Sequence, residues 1–313
     1  MAHPRRFRFG VQLNQAFEGC TWTESVRELE TLGYSTLFVP DHVDSGMGPL
    51  TAMAAAVTAT TTLKVAPLVL DCDFRHPAIV ARELATIDLL SEGRIEVGLG
   101  AGWKAVDYTQ TGIPMDRPGV RVDRMIEHAH VMKALFAGEP VDFTGEHYDI
   151  TGLVGSPAPH TPGGPPFIIG GGARRVLHFA GRFADIVGVN PSIHSGEIDA
   201  DAARDAQADR IDQKVEWVRE GAGDRFDDLE LNAWVAAANY TDDPPGFADQ
   251  LAPLFGAPDG PSLLSSPMTL IGNVDSLTEE LNRRRDRWGY SYIVVPGDEA
   301  RAFAPLVAAL TGT

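Results

Sequence analysis

Four short stretches of this chain concentrate residues able to do chemistry. The first is Asp41-His42, a carboxylate beside an imidazole. Histidine titrates near neutral pH, and an adjacent acid can orient it as a proton donor or acceptor; the competing reading is a plain Pro-Asp-His surface turn. The second runs Asp71, Cys72, Asp73, Phe74, Arg75, His76, directly before Pro77. It reads as a helix N-terminus with Asp73 near the cap. Arg75 is out of place there, since a cation is unfavourable at that end, and it points to an anion nearby. The third is Gly98-Leu99-Gly100-Ala101-Gly102-Trp103, where glycines admit a ligand close to the backbone and Trp103 offers a flat apolar face. Its spacing is not the dinucleotide fingerprint, and a tight turn is the simpler alternative. The fourth is Gly170-Gly171-Gly172-Ala173-Arg174-Arg175. A glycine run opening a helix leaves backbone N–H groups free for an anion, so a phosphate site is favoured over a mere loop.

Other candidates are weaker. His128 and His130 lie two apart on a helical stretch and face different directions. No His, Cys or carboxylate spacing suits a metal, and no G-x-S-x-G elbow occurs. Cys20 and Cys72 carry no nucleophile signature. Arg283, Arg284 and Arg285 follow Glu279 and Glu280 and read as a solvated helix face.

The elements that must position these residues alternate. Strand patterns fall at 7–13, 36–40, 63–70, 95–99, 167–169, 186–189, 229–238 and 292–295. Helical patterns fall after Thr23 (Val26, Leu29, Leu32, closed by Gly33), at 50–61, 77–90, 120–136, 174–181, 203–220, 247–255, 277–288 and 300–310. Residues 137–166 are irregular, with a short hairpin at 141–150, and read as an insertion. Eight strand–helix units without a Gly/Ser linker predict an α/β fold, a single (β/α)8 TIM barrel over 1–313, with an open doubly wound sheet as the alternative. In such barrels the sites lie on loops after the strands, where all four stretches fall.

Composition sets the outer limits. The 313 residues are 44% hydrophobic and 22% charged, ordinary for a globular chain. Lys plus Arg number 26 against 43 Asp plus Glu, a net charge of −17, which argues against nucleic-acid binding. Two cysteines give no disulfide framework. The segment 1–8 lacks an apolar h-region and no stretch is long enough to span a membrane, so a cytoplasmic protein without membrane contact is expected.

Five segments carry a family resemblance: FVPDH (38–42), FRHPAIVARELATIDLLSEGRIEVGLGAGW (74–103), GIPMDRPGVRVDRMIEHAHVMKALFAGEPVDFTGEHY (112–148), PPFIIGGGARRVLHFAGRFADIVG (165–188) and LIGNVDSLTEELNRRRDRWGYSYIVVP (270–296). Over nearly the whole chain the sequence resembles the luciferase-like monooxygenase superfamily, and most closely its coenzyme F420-dependent oxidoreductases. The resemblance implies an eight-fold barrel with a deazaflavin or flavin at its C-terminal mouth. It gives Asp41 and His42 the place beside the ring, His42 as the proton-moving residue. It implies cofactor contacts at Leu68, Val69 and Leu70, where relatives have a non-prolyl cis peptide, and at Asp71. The strand-4 turn, Gly100, Ala101, Gly102 and Trp103, borders the cofactor, and Gly171, Gly172, Ala173, Arg175 and Val176 hold its phosphate. Where sugar-phosphate dehydrogenases of the superfamily have a second acid–base glutamate, this chain has Trp103, which suits a more apolar substrate or stacking near the ring. The segment 190–201 is expected to shape the pocket with the insertion.

The function expected on this basis is hydride transfer between coenzyme F420 and a small organic substrate. An FMN-dependent two-component monooxygenase fed by a separate reductase is the alternative, and the resemblance makes a homodimer the default. A metal-dependent barrel hydrolase using Asp41, His42 and His76 is the reading from another class, disfavoured by the absence of His-x-His on any strand.

Overall fold

Strands that are buried on both faces read as nearly continuous apolar runs, and such strands pair in parallel beneath covering helices. The computed structural model, which describes residues 5–193, 196 and 199–313, has that arrangement. In chain order the strands are β1 (Arg8–Gln12), β2 (Thr36–Val39), β3 (Lys64–Pro67), β4 (Leu70–Asp71), β5 (Val97–Gly100), β6 (Pro140–Thr144), β7 (Asp149–Val154), β8 (Phe167–Gly171), β9 (Ile186–Val189), β10 (Glu230–Trp234), β11 (Ala237–Tyr240), β12 (Thr269–Gly272) and β13 (Tyr290–Pro296). The helices are α1 (Trp22–Thr31), α2 (Pro49–Ala59), α3 (Pro77–Ser91), α4 (Ala105–Thr111), α5 (Pro118–Phe136), α6 (Arg174–Phe183), α7 (Ala200–Asp205), α8 (Ala208–Ala222), α9 (Pro244–Leu251), α10 (Gly260–Ser265), α11 (Val274–Trp288) and α12 (Ala300–Leu310).

Nine strands form one sheet in the order β3-β2-β1-β13-β10-β9-β8-β5-β4. Its two end strands, β3 and β4, are successive halves of one barrel strand, separated by a cis Leu68–Val69 peptide. A parallel bridge from Val65 of β3 to Ile95, just before β5, closes the sheet on itself as an eight-fold barrel. Phe38, Ala66, Ile168, Ile186, Tyr292 and Val294 fill its interior, with Leu68 and Trp234 packed on them. A larger apolar layer, including Val11, Leu37, Val97, Leu177 and Ile293, lies between strands and helices.

Several elements depart from the sequence expectation. The run 63–70 is broken into β3 and β4. The run 229–238 also serves two sheets. Val235 N still donates to Val294 O of the barrel, but Ala236 and Ala237 donate to Met268 O, and β11 then pairs with β12 outside it. Strand β12 was not foreseen, because the four residues Thr-Leu-Ile-Gly carry no period. Helix α4 was also missed, being short and weakly patterned, and the helix expected over 203–220 is two, α7 and α8. Helix α1 starts from a capping box of Thr21 and Glu24 rather than at Thr23. His76, not Asp73, caps α3 by accepting from Ala78 N. Arg284 is buried, not solvated, and donates to the carbonyls of Ser266, Pro267 and Thr269. The hairpin expected at 141–150 is present, as the antiparallel pair β6–β7. No helix among the described residues is long and apolar enough to cross a membrane.

Candidate active site

The C-terminal ends of the barrel strands surround a cavity of about 300 Å³. Asp41 and His42 follow β2, Leu68 to Asp71 form the broken third strand, and Gly100 to Trp103 end β5 and its turn. Gly171, Gly172, Ala173 and Val176 come from the β8–α6 junction. All of these line the cavity. The expected residues from four separate stretches therefore meet in one place.

Arg175 does not line it. Its guanidinium is turned outward, 53% exposed, onto Asp123 and the Gly119 carbonyl. In the segment 190–201, Asn190, Pro191, Ser192 and Ile193 line the cavity, while residues 194, 195, 197 and 198 lie outside the described residues.

The Asp41–His42 pairing takes a different form from the one adjacency suggests. Asp41 is 7% exposed and turned to Arg75, whose Nη1 and Nη2 donate to its two oxygens at 2.5 and 2.8 Å. Asp71 N adds a third bond to Asp41 at 3.1 Å. Arg75 is thus the cation of a forked carboxylate pair, which explains its place before α3. The acid that meets His42 is Asp107 of α4, with Oδ2 2.7 Å from Nδ1. Val43 N donates to the other Asp107 oxygen at 3.1 Å, and Asp107 is 3% exposed. The His42 ring also meets Trp103 edge-on, with centroids 5.5 Å apart.

Beside this dyad lies a second acidic cluster. Asp73 N donates to Asp71 Oδ1 at 2.9 Å, and the Tyr108 hydroxyl sits 2.8 Å from Asp71 Oδ2 and 3.0 Å from Asp73 Oδ2. Arg124 pairs with Asp73 on its far side. Burial raises the Asp71 carboxyl to about 6, against the donors from Asp73 and Tyr108 and with help from the charges of Asp73 and Asp41. A phenol has one hydrogen for two carboxyls. The Tyr108 hydroxyl therefore donates to only one of Asp71 and Asp73 at a time.

Gly102 holds this corner together. Its φ is +70°, and a Cβ there would lie 1.8 Å from the Tyr108 hydroxyl and 2.4 Å from Asp71 Oδ2. Arg121 of α5 fixes the same turn by donating to Gly102 O at 2.6 Å and Ala101 O at 3.2 Å. On the opposite wall, α6 begins at Ala173 with no side chain capping it, which leaves its first backbone N–H groups for an external acceptor. The floor carries Gln12, whose Oε1 accepts from Trp234 Nε1 at 2.6 Å, with Asn190 and Asn232 nearby.

Sequence reasoning missed Asp107, Tyr108, Arg121 and the floor amides. The first two sit in a helix of seven residues, and the DY pair within it was the only available signal.

Comparison with known proteins agrees with this architecture. The chain is 28% identical over 300 residues to an F420-dependent glucose-6-phosphate dehydrogenase of Mycolicibacterium smegmatis, covering 88% of each. Its fold superposes on the coenzyme F420 dependent tetrahydromethanopterin reductase of Methanopyrus kandleri with a TM-score of 0.76, 18% identity, and 97% and 99% coverage of the two chains. A monooxygenase from Streptomyces bottropensis matches with a TM-score of 0.72 at 20% identity, covering 97% of this chain and 98% of the other. These structural likenesses are ones of fold. A family profile described as luciferase-like monooxygenase matches residues 14–220, a span holding the broken third strand, the His42–Asp107 pair and the glycine run. On that match this chain belongs to the luciferase-like monooxygenase family.

Proposed function

We propose that this chain is an F420-dependent oxidoreductase that moves a hydride between the deazaflavin and a small organic substrate. The observation that carries the reading is the cavity itself, walled by the broken third strand and opening beside the uncapped start of α6. A flat ring with a phosphate-bearing chain fits the residues present. Leu68, Val69 and Leu70 give it an apolar wall. The glycine turns leave room for it, and the α6 N-terminus offers N–H groups and the positive end of a dipole to the phosphate. Arg175 is paired with Asp123 and makes no direct contact at that end. The curated relative named above is F420-dependent, which places F420 before FMN.

When bound, the deazaflavin supplies the carbon that takes or gives the hydride. His42 handles the proton. Its bond to Asp107 puts a hydrogen on Nδ1 and leaves Nε2 to accept or deliver one, and Asp107 fixes the ring's direction and stabilises the imidazolium. Asp41 braces the start of β4 and Arg75 rather than His42. Trp103 stands where the resemblance places a glutamate in sugar-phosphate enzymes, so that second acid–base group is missing at this position, and an uncharged, apolar substrate suits the wall beside it.

The FMN-dependent monooxygenase reading is second, favoured by the family's own description and by monooxygenases of the same fold. It would require reduced flavin from a separate reductase. In either case we read residues 1–313 as one barrel domain with 137–166 inserted, acting as a cytoplasmic homodimer. Titration of the purified protein with F420 and separately with FMN, followed by quenching of cofactor fluorescence, tests the choice. F420 is expected to bind more tightly; tight FMN binding with no detectable F420 binding overturns it.

A further inference from the structure

We propose that Lys214 is the positioning residue of the glycine-run loop, its buried ammonium holding the backbone at the start of α6 in the orientation that receives a phosphate. The proposal rests on the reading of α6 as the phosphate end of the site.

Lys214 belongs to α8 and is 1% exposed. Its Nζ donates to Gly172 O at 2.9 Å, to Asn190 O at 3.0 Å and to the Asp205 carboxylate of α7. An ammonium has three hydrogens, and all three are used. The first two acceptors belong to the two loops that form one wall of the cavity. Those loops touch through their backbones. Asn190 N donates to Gly171 O at 2.9 Å, and a Cβ on Gly172 would lie 2.4 Å from Ser192 N and 2.5 Å from the Pro191 carbonyl carbon. Asp205 also accepts from Ser192 N at 2.7 Å. Two carbonyl dipoles therefore converge, negative ends together, on a point away from water. Without a cation there they repel each other and lie unsatisfied.

The consequence for the ligand follows from peptide geometry. The C=O and N–H of a trans peptide unit point in opposite directions. Drawing Gly172 O onto Lys214 turns the Ala173 N–H, in the same peptide, the other way. Ala173 is the N-cap of α6 and lines the cavity. Because Arg175 faces Asp123, the backbone of this loop is left as the direct anion contact, and its direction matters more than charge supplied from the surface.

The test compares equilibrium binding of F420 with that of its ring and ribityl chain lacking the phosphodiester. Wild-type, Lys214→Met and Asp205→Asn proteins are used, with folding checked by thermal melting. Wild type should prefer F420. In Lys214→Met that preference should shrink by about tenfold or more, since small misplacements of a binding group cost that much, while affinity for the phosphate-free fragment stays nearly unchanged. Asp205→Asn keeps an oxygen for Nζ but removes the charge, and should lose about threefold of the preference. An unchanged preference in a folded Lys214→Met protein, or equal weakening of both ligands, overturns the proposal. If Lys214→Met does not fold, Asp205→Asn decides alone, an unchanged preference again overturning it. A wild-type protein with no preference at all overturns instead the reading of α6 as the phosphate end.

Discussion

His42 takes its direction from an acid 65 positions along the chain, not from its neighbour Asp41. That separates two roles adjacency had merged. Asp41 is saturated by Arg75 and the Asp71 backbone, whereas Asp107 has His42 and Val43 N as its partners. His42→Ala should bind cofactor nearly as well as wild type and turn over about 10²–10⁴-fold more slowly. His42→Gln keeps a donor but cannot shuttle a proton and should match the Ala variant. Asp107→Asn keeps an acceptor for Val43 N and loses the charge that stabilises the imidazolium, so its turnover should also fall, with a changed pH–rate profile. These rates are measured at saturating cofactor between pH 5 and 9. Recovery of most activity by Gln would make His42 a packing residue, and an unaltered profile in Asp107→Asn would detach that acid from the reaction.

At the scale of elements, the β5–α4 turn is the tightest piece of the site. Gly102 lies between β5 and the helix that carries both Asp107 and Tyr108, so its conformation sets where those side chains arrive. Gly102→Ala forces a Cβ onto the Tyr108 hydroxyl and the Asp71 carboxylate and demands an αL backbone from alanine. A loss of about 1–3 kcal/mol in urea unfolding is expected. Adding Tyr108→Phe removes the nearest clashing atom and should restore part of it. Wild-type stability in the single variant would show that the turn shifts freely. The broken third strand acts on the same region, because Val69 fills the space where a Cβ on Gly100 would stand.

Taken whole, the barrel has two chemically different ends. The mouth carries the cavity, while the N-terminal end is closed by charge. Arg8 starts β1 and donates to Glu96 before β5, at 2.7 Å, and to Glu230 at the start of β10, at 2.5 Å, with its guanidinium carbon 3.4 Å from the centre of the Tyr292 ring. Glu96 is fully buried and also accepts from Tyr292. Burial works to raise its pKa, but Arg8 and Lys64 outweigh that and the net shift is downward. Arg8→Met should cost about 1–3 kcal/mol, because it leaves the buried Glu96 with only Lys64 and the Tyr292 hydroxyl as partners. Arg8→Met with Glu96→Gln should recover part of that loss. The sign with pH follows from a folded pKa below the unfolded one: the contribution is present above the unfolded glutamate pKa of about 4.3 and is lost as pH falls through the lower folded value. Wild-type stability should therefore converge on that of Arg8→Met in acid. Equal denaturation midpoints at neutral pH would remove this network from the barrel's stability.

The sequence alone determined what depends on neighbours in the chain. Alternating strand and helix periods gave the barrel. Its consequence for loops brought Asp41, His42, Asp71, Gly100 to Trp103 and the 170–173 run to one mouth, and the family resemblance added Leu68, Val69 and Leu70. Glycine and proline punctuation placed the turns. Tertiary structure decided which side chains pair, since a carboxylate or an arginine reads the same in sequence whether it faces ligand, solvent or another charge. Closure of the barrel set Asp107 against His42, bound Arg75 to Asp41 and turned Arg175 onto Asp123. It also buried Arg284 and placed Lys214 under two loops 42 and 24 positions away. Short elements such as α4 and β12 were likewise settled by packing, because four to seven residues carry too little period to outweigh what they pack against.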